Sequence, residues 1–216
     1  MSLKENLDEI ERRIEDACSS AGRKRSEVTL VAVTKTVPIE KIREAYDLGC
    51  RDFGESRLQE ALPKIEQLPS DIRWHFIGKL QSNKAKRVAE VFHLIHTLDS
   101  ESQLREIAKQ PRRIDALIEV NVGKEAQKSG IAPGALDEFI RICTHCKEVR
   151  LRGLMTIGPA LDPENMRPYF RQLKDWLPKV PEADILSMGM SGDFEVAIQE
   201  GSTLVRIGSA LFGDRA

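Results

Sequence analysis

A chain of 216 residues, 41% hydrophobic and 31% charged, has the composition of a globular protein with room for a well-buried core. Its formal net charge of −1 gives no general attraction to nucleic acid or anionic membrane, so any bound anion must be held by a local set of donors. The polar, acidic stretch Met1 to Ile10 is unlike a signal peptide, no apolar run nears the roughly 20 residues of a membrane span, and Cys18, Cys50, Cys143 and Cys146 suit a reducing compartment; the expected location is the cytoplasm.

The first element is a helix, with Leu3, Leu7, Ile10, Ile14, Ala17 and Ala21 on one face and Gly22 at its end. The β-branched run Val28–Thr34 reads as a strand buried on both faces. Pro38 then opens a helix carrying Ile39, Ile42, Ala45 and Tyr46, closed by Gly49. Further strands are expected at 51–54, 74–78, 94–98, 115–121, 151–157, 183–188 and 203–207. Between them run amphipathic segments such as Ala85–Val88–Ala89–Phe92, Leu136–Phe139–Ile140–Cys143 and Met166–Tyr169–Phe170–Leu173–Leu177. Eight strands alternating with helices predict an α/β fold, a single (β/α)8 TIM-type barrel with an extra N-terminal helix, as one domain over residues 1–216. The length is short for that fold, which leaves an open doubly wound sheet as the alternative.

Barrels of this kind work at the C-terminal ends of their strands. Those ends carry Lys35 with Thr34 and Thr36, Gly54–Arg57, His75–Lys79, Asn121, Thr156 with Gly158, Ser187–Ser191 and Arg206–Ser209. Lys35 follows a buried run, and partial desolvation would favour the neutral amine that condenses with a carbonyl; the plainer reading is a lysine that snorkels to solvent. The segment Leu186–Asp193 joins a strand to a helix through a Gly/Ser turn, and Gly208–Ser209 follows the last strand. Loops after strands seven and eight often bind phosphate in such barrels, although Ser191 could equally be an ordinary N-cap. Arg206 inside an apolar strand calls for a ligand or a carboxylate, with Glu195 and Asp214 the structural candidates.

Other features point to packing or solvent. Cys143 and Cys146 have CxxC spacing within a helical pattern and no second pair to complete a zinc site. His93 and His96 bracket a strand without carboxylates at ligand spacing, the Asn83–Arg87 run reads as a solvated helix face, and Met188 and Met190 read as packing residues.

The segments Ala32–Thr36, Trp74–Lys84, Leu186–Asp193 and Gly201–Gly213 together resemble the pyridoxal phosphate homeostasis protein family over essentially the whole chain. The resemblance implies a barrel like the N-terminal domain of alanine racemase, with pyridoxal 5′-phosphate (PLP) held as a Schiff base on the lysine matching Lys35. It implies Arg206 opposite the pyridine nitrogen, phosphate contacts from Ser191–Gly192 and Gly208–Ser209, and His75 with the end of the second strand, including Ser56, lining the ring. One departure is Gly54-Glu-Ser-Arg57, where the family usually has Gly-Glu-Asn-Arg; the shorter Ser56 leaves a direct cofactor contact from that position open.

An arginine donates hydrogen bonds and cannot protonate the ring nitrogen, so the electron sink on which PLP chemistry depends would be weak. Racemisation needs groups on both faces of a substrate, and Tyr46 and Tyr169 fall on outer helices. The expectation is an intracellular PLP carrier or reservoir with little turnover, a monomer because the sequence ends at Ala216 soon after the final motif, with apo PLP-dependent enzymes as its partners. The rivals are a weak amino-acid racemase, a Schiff-base aldolase acting on a sugar phosphate, and a regulator that works through contacts with PLP enzymes.

Overall fold

The computed structural model describes residues 2–213. Eight parallel strands occur in it: β1 (Thr29–Val33), β2 (Asp52–Glu55), β3 (Arg73–Phe76), β4 (Leu94–Leu98), β5 (Ile114–Glu119), β6 (Val149–Met155), β7 (Ile185–Ser187) and β8 (Leu204–Ile207). Each pairs with the next, and β1 pairs with β8 through Thr29–Leu204 to Ala32–Ile207, which closes the barrel and excludes the open sheet. All eight expected strands are present, with ends shifted by one or two residues where pairing, rather than apolar character, decides the boundary. Between β5 and β6 the register slips at Ala116/Leu117. Gly153 lies there with φ +152, and a Cβ would collide with the Ile185 carbonyl, so the bulge needs glycine.

Helices alternate with the strands: α1 (Leu3–Ser20), α2 (Ile39–Asp47), α3 (Leu58–Gln67), α4 (Ser82–Val91), α5 (Glu101–Ile107), α6 (Leu136–His145), α7 (Pro163–Trp176), α8 (Phe194–Gln199) and α9 (Ser209–Phe212). Ser2 caps α1 through a reciprocal box with Glu5, and the buried stripe is Leu3, Leu7, Ile10, Ile14, Ala17 and Cys18; Ala21 lies past the helix end and is only half-buried. This helix packs on α8, α9 and α2. It fills the outer-ring position that the four-residue α9 is too short to cover. Arg13 clamps Glu195 at 2.8 Å with its guanidinium over the Phe194 ring, and Asn6 donates to the Leu211 carbonyl at 2.9 Å.

Most of the apolar core lies between sheet and helices, including Phe53, Phe92, Ile95, Ile118, Phe170 and Phe194. Inside the barrel a smaller plug of Val31, Leu94, Leu117, Met155 and Leu204 fills only part of the space. The rest is polar: Asp52, His75, His96, Ser187 and Arg206 are all buried. No helix among the described residues is long and apolar enough to cross a membrane.

Candidate functional site

A cavity of about 630 Å³ opens at the C-terminal ends of the strands, bordered by the ends of β1, β2 and β8 and the loop after β7. Lys35, Ser56, Ser191, Gly192, Arg206, Gly208 and Ser209 all line it, so seven of the eight candidate residues meet in one place.

Lys35 is half-buried in the wall, and its backbone is anchored on either side. The Thr34 N–H donates to the Gly54 carbonyl at 2.9 Å, and the Thr34 carbonyl accepts from the Lys64 ammonium at 2.8 Å and the Val37 N–H at 2.9 Å. Outside the sheet, Lys64 also pairs with the fully buried Glu55 at 2.7 Å, to which the Thr34 hydroxyl donates at 2.6 Å. Thr36 sits at φ +65, a conformation unfavourable for a β-branched residue, so the surrounding contacts must impose it. The amine is therefore carried on a segment with little freedom to move.

The two glycine-bearing turns are tied together by a hydroxyl. Ser191 Oγ accepts from the N–H groups of Gly208 and Ala210, both at 3.4 Å. Ser191 is thus a bridge between turns rather than a helix cap; the N-cap of α8 is Asp193, whose carboxylate accepts from the Met190 N–H at 2.6 Å. Gly189 adopts φ +93, and any side chain there would strike Ala197 and Phe194 of α8.

Arg206 is 4% exposed and makes no ion pair among the described residues. Its guanidinium donates to the Ser187 hydroxyl at 2.6 Å and the Thr156 carbonyl at 3.0 Å. Burial lowers its pKa to about 10, with Asp193 and Glu119 acting in the opposite sense, so it stays cationic at neutral pH. Of the two carboxylates considered as partners, Glu195 is engaged by Arg13, and Asp214 lies outside the described residues. Burial also raises Glu119, at the end of β5, to about 7, with Asp99 adding to the rise.

His75 is corrected. It does not line the cavity: its ring lies deeper in the barrel, 3% exposed, with Nε2 2.9 Å from Asp52 and Nδ1 2.9 Å from His96. Being the third residue of β3 rather than beyond its end, it points into the barrel one layer below the rim, where Ile77 stands. His96, set aside in the sequence as a strand flank, is inside β4 and fully buried. Met190 is 41% exposed and lines the cavity, whereas Met188 is buried packing as expected. Cys143 is buried on α6 and Cys146 follows that helix. Asn121 holds its own loop through the Glu125 carbonyl and borders a different depression.

Sequence reasoning missed Lys41, Ile157 and Phe212 as cavity residues, named Ile77 only within a strand-end stretch, and read Met190 as packing. Ile77 and Ile157 each stand two residues beyond an inward-facing one (His75 and Met155), and strict two-residue counting along the strands would have found them.

The sequence profile of the alanine racemase N-terminal domain family matches residues 6–216. The "Pyridoxal phosphate homeostasis protein" of Aquifex aeolicus is 46% identical, covering 100% of this chain and 99% of that protein. The protein of the same name from Vibrio cholerae is 42% identical over 99% and 97% of the two chains. The chain belongs to the pyridoxal phosphate homeostasis protein family. A solved structure similar to this member of the family is that of PipY from Synechococcus elongatus with PLP bound, at 34% identity and TM-score 0.81 over 98% of this chain and 100% of that one. The donor set of this family member's cavity fits such a group. An amine and a guanidinium line it together with turn backbone and serine hydroxyls, and among the described residues no carboxylate lines it to repel an anion.

Proposed function

We propose that this protein binds PLP in the cavity at the barrel mouth and acts in intracellular PLP homeostasis as a carrier or reservoir. The observation that carries the reading is the convergence of Lys35, Arg206 and the two Ser/Gly turns on one cavity, with no carboxylate among its described lining residues. Lys35 would hold the cofactor's aldehyde as a Schiff base, the turns at Ser191–Gly192 and Gly208–Ser209 its phosphate, and Arg206 the pyridine nitrogen. When bound, PLP supplies an electron-withdrawing ring for amine chemistry. Arg206, cationic and donor-only, gives that ring no proton to share and so restrains the withdrawal.

The same lining supports low turnover. Among the described residues it contains no tyrosine, histidine, carboxylate or cysteine to move a proton opposite Lys35. Tyr46 bonds Asp71 on the outside, and Tyr169 lies on α7. Ile157 and Met190 leave the mouth open and partly apolar, which suits loading and release of the cofactor. Monomeric, cytoplasmic protein and delivery to apo PLP-dependent enzymes complete the reading.

Titration of the purified protein with PLP, followed by absorbance, tests it. The wild type should develop a saturable visible band and Lys35→Ala none. A wild type that stays colourless in excess PLP would overturn the reading.

A further inference from the structure

The polar groups inside the barrel form one continuous chain of short contacts. Arg206 Nη1 donates to Ser187 Oγ at 2.6 Å, and Ser187 Oγ lies 2.9 Å from His96 Nδ1. His96 Nε2 lies 2.9 Å from His75 Nδ1, and His75 Nε2 lies 2.9 Å from Asp52 Oδ1. Arg73 then closes on the same carboxylate, its Nε 2.8 Å from Oδ1. Asp52 and Arg73 are the first residues of β2 and β3, so the chain runs from the cavity through the barrel to the opposite rim. Branched apolar side chains ordinarily fill this space. None of Asp52, His75, His96 and Ser187 lines the cavity.

For a neutral His75, proton counting gives the direction of the chain. Asp52, paired to Arg73, can only accept, so His75 Nε2 must carry hydrogen. A neutral His75 then accepts at Nδ1, which requires hydrogen on His96 Nε2 and leaves His96 Nδ1 to accept from the Ser187 hydroxyl. Ser187 Oγ in turn accepts from Arg206. Every donor and acceptor is satisfied, with donation running one way from Arg206 to Asp52. Adding a proton to His75 reverses the middle of the chain: His96 would donate from Nδ1 to Ser187, and the serine's own hydrogen would have no acceptor among the described contacts.

We propose that Ser187, His96 and His75 are positioning residues for Arg206, a one-directional relay that fixes the guanidinium at the cavity floor and anchors it on Asp52 at the far rim. This rests on the reading that Arg206 faces bound PLP, and it adds a set of residues that set the geometry of that contact without touching the cofactor. Ser187 is the pivotal member, because its hydroxyl both accepts from Arg206 and donates to His96.

Long-range ¹H–¹⁵N correlation of the imidazole rings in the cofactor-free protein at neutral pH tests the direction. Both His75 and His96 should show hydrogen on Nε2 alone. Hydrogen on His96 Nδ1, or a doubly protonated His96, would overturn the relay, and this needs neither a variant nor PLP. The second arm compares PLP titrations: Ser187→Ala should bind about ten-fold more weakly and shift the visible band of the bound cofactor, and Ser187→Thr, which keeps the hydroxyl, should restore both. An Ala variant that binds PLP like the wild type with an unshifted band would overturn the positioning role. A wild type that takes up no PLP would fail the proposed function while leaving the imidazole result standing, so the two failures are distinguishable.

Discussion

At the N-terminal rim of the barrel arginines face carboxylates in matched pairs: Arg73 on Asp52, Arg150 on Asp115, and Arg152 on both Asp115 and Asp184. At the C-terminal rim the cavity wall holds Lys35, Lys41 and Arg206 and no carboxylate among its described lining residues. The same sheet therefore balances charge at one end and leaves cationic donors gathered at the other. The balanced end contributes to stability; on the proposed function the other end gives up some of it to keep an anion site ready, in line with the usual division of labour between the two faces of such barrels.

The largest test of that contrast lies at the upper rim. Arg206→Met should weaken PLP binding by about 30-fold, roughly 2 kcal/mol for a lost charge-assisted hydrogen bond. The same change should leave unfolding stability within about 1 kcal/mol of wild type, because removal of a buried cation that has no carboxylate partner offsets the lost hydrogen bonds to Ser187 and Thr156. A variant that lost binding and stability together would erase the distinction between the rims. Absorbance titration and urea unfolding read the two quantities separately.

Asp52 gives the next effect, at the balanced rim. Burial opposes its ionisation, but hydrogen bonds from His75 and Arg73 outweigh it and hold the carboxyl at about 2. A folded value below the ordinary 3.8 contributes stability that is full above pH 3.8 and lost as pH falls through 2. Asp52→Asn should cost about 2 kcal/mol at neutral pH, with the deficit vanishing near pH 2. Unfolding curves across that window check the sign; a deficit that grew on acidification would contradict it. The smallest effect belongs to Arg150, half-exposed over Asp115. Arg150→Ala should cost less than about 1 kcal/mol, fall further in high salt, and leave PLP binding unchanged.

The sequence makes the upper rim far more legible than the interior. Strand ends announce themselves through buried runs followed by polar or glycine residues, which is how Lys35, Ser191–Gly192 and Gly208–Ser209 are found. Arg206 stands out as a charge in an apolar strand. What lies one layer down depends on closure of the sheet: His75, His96 and Ser187 come from three strands far apart in sequence, and only the barrel brings their rings and hydroxyl into contact. No local pattern could say that His75 leans toward Asp52 rather than the cavity. A period-two count from the first residue of each observed strand places Asp52, His75, His96, Ser187 and Arg206 all on the inner face, but the expected starts at 51, 74 and 203 are each one residue off and so select the opposite face for Asp52, His75 and Arg206. The Glu55–Lys64 pair that steadies Thr34 is likewise unreadable in advance, since it depends on how α3 lies against β2.

Borohydride reduction of the PLP-loaded protein followed by peptide mass mapping tests the central claim most directly. A single pyridoxyl group is expected on the peptide that carries Lys35. A stable adduct on any other lysine, with Lys35 unmodified, would contradict it.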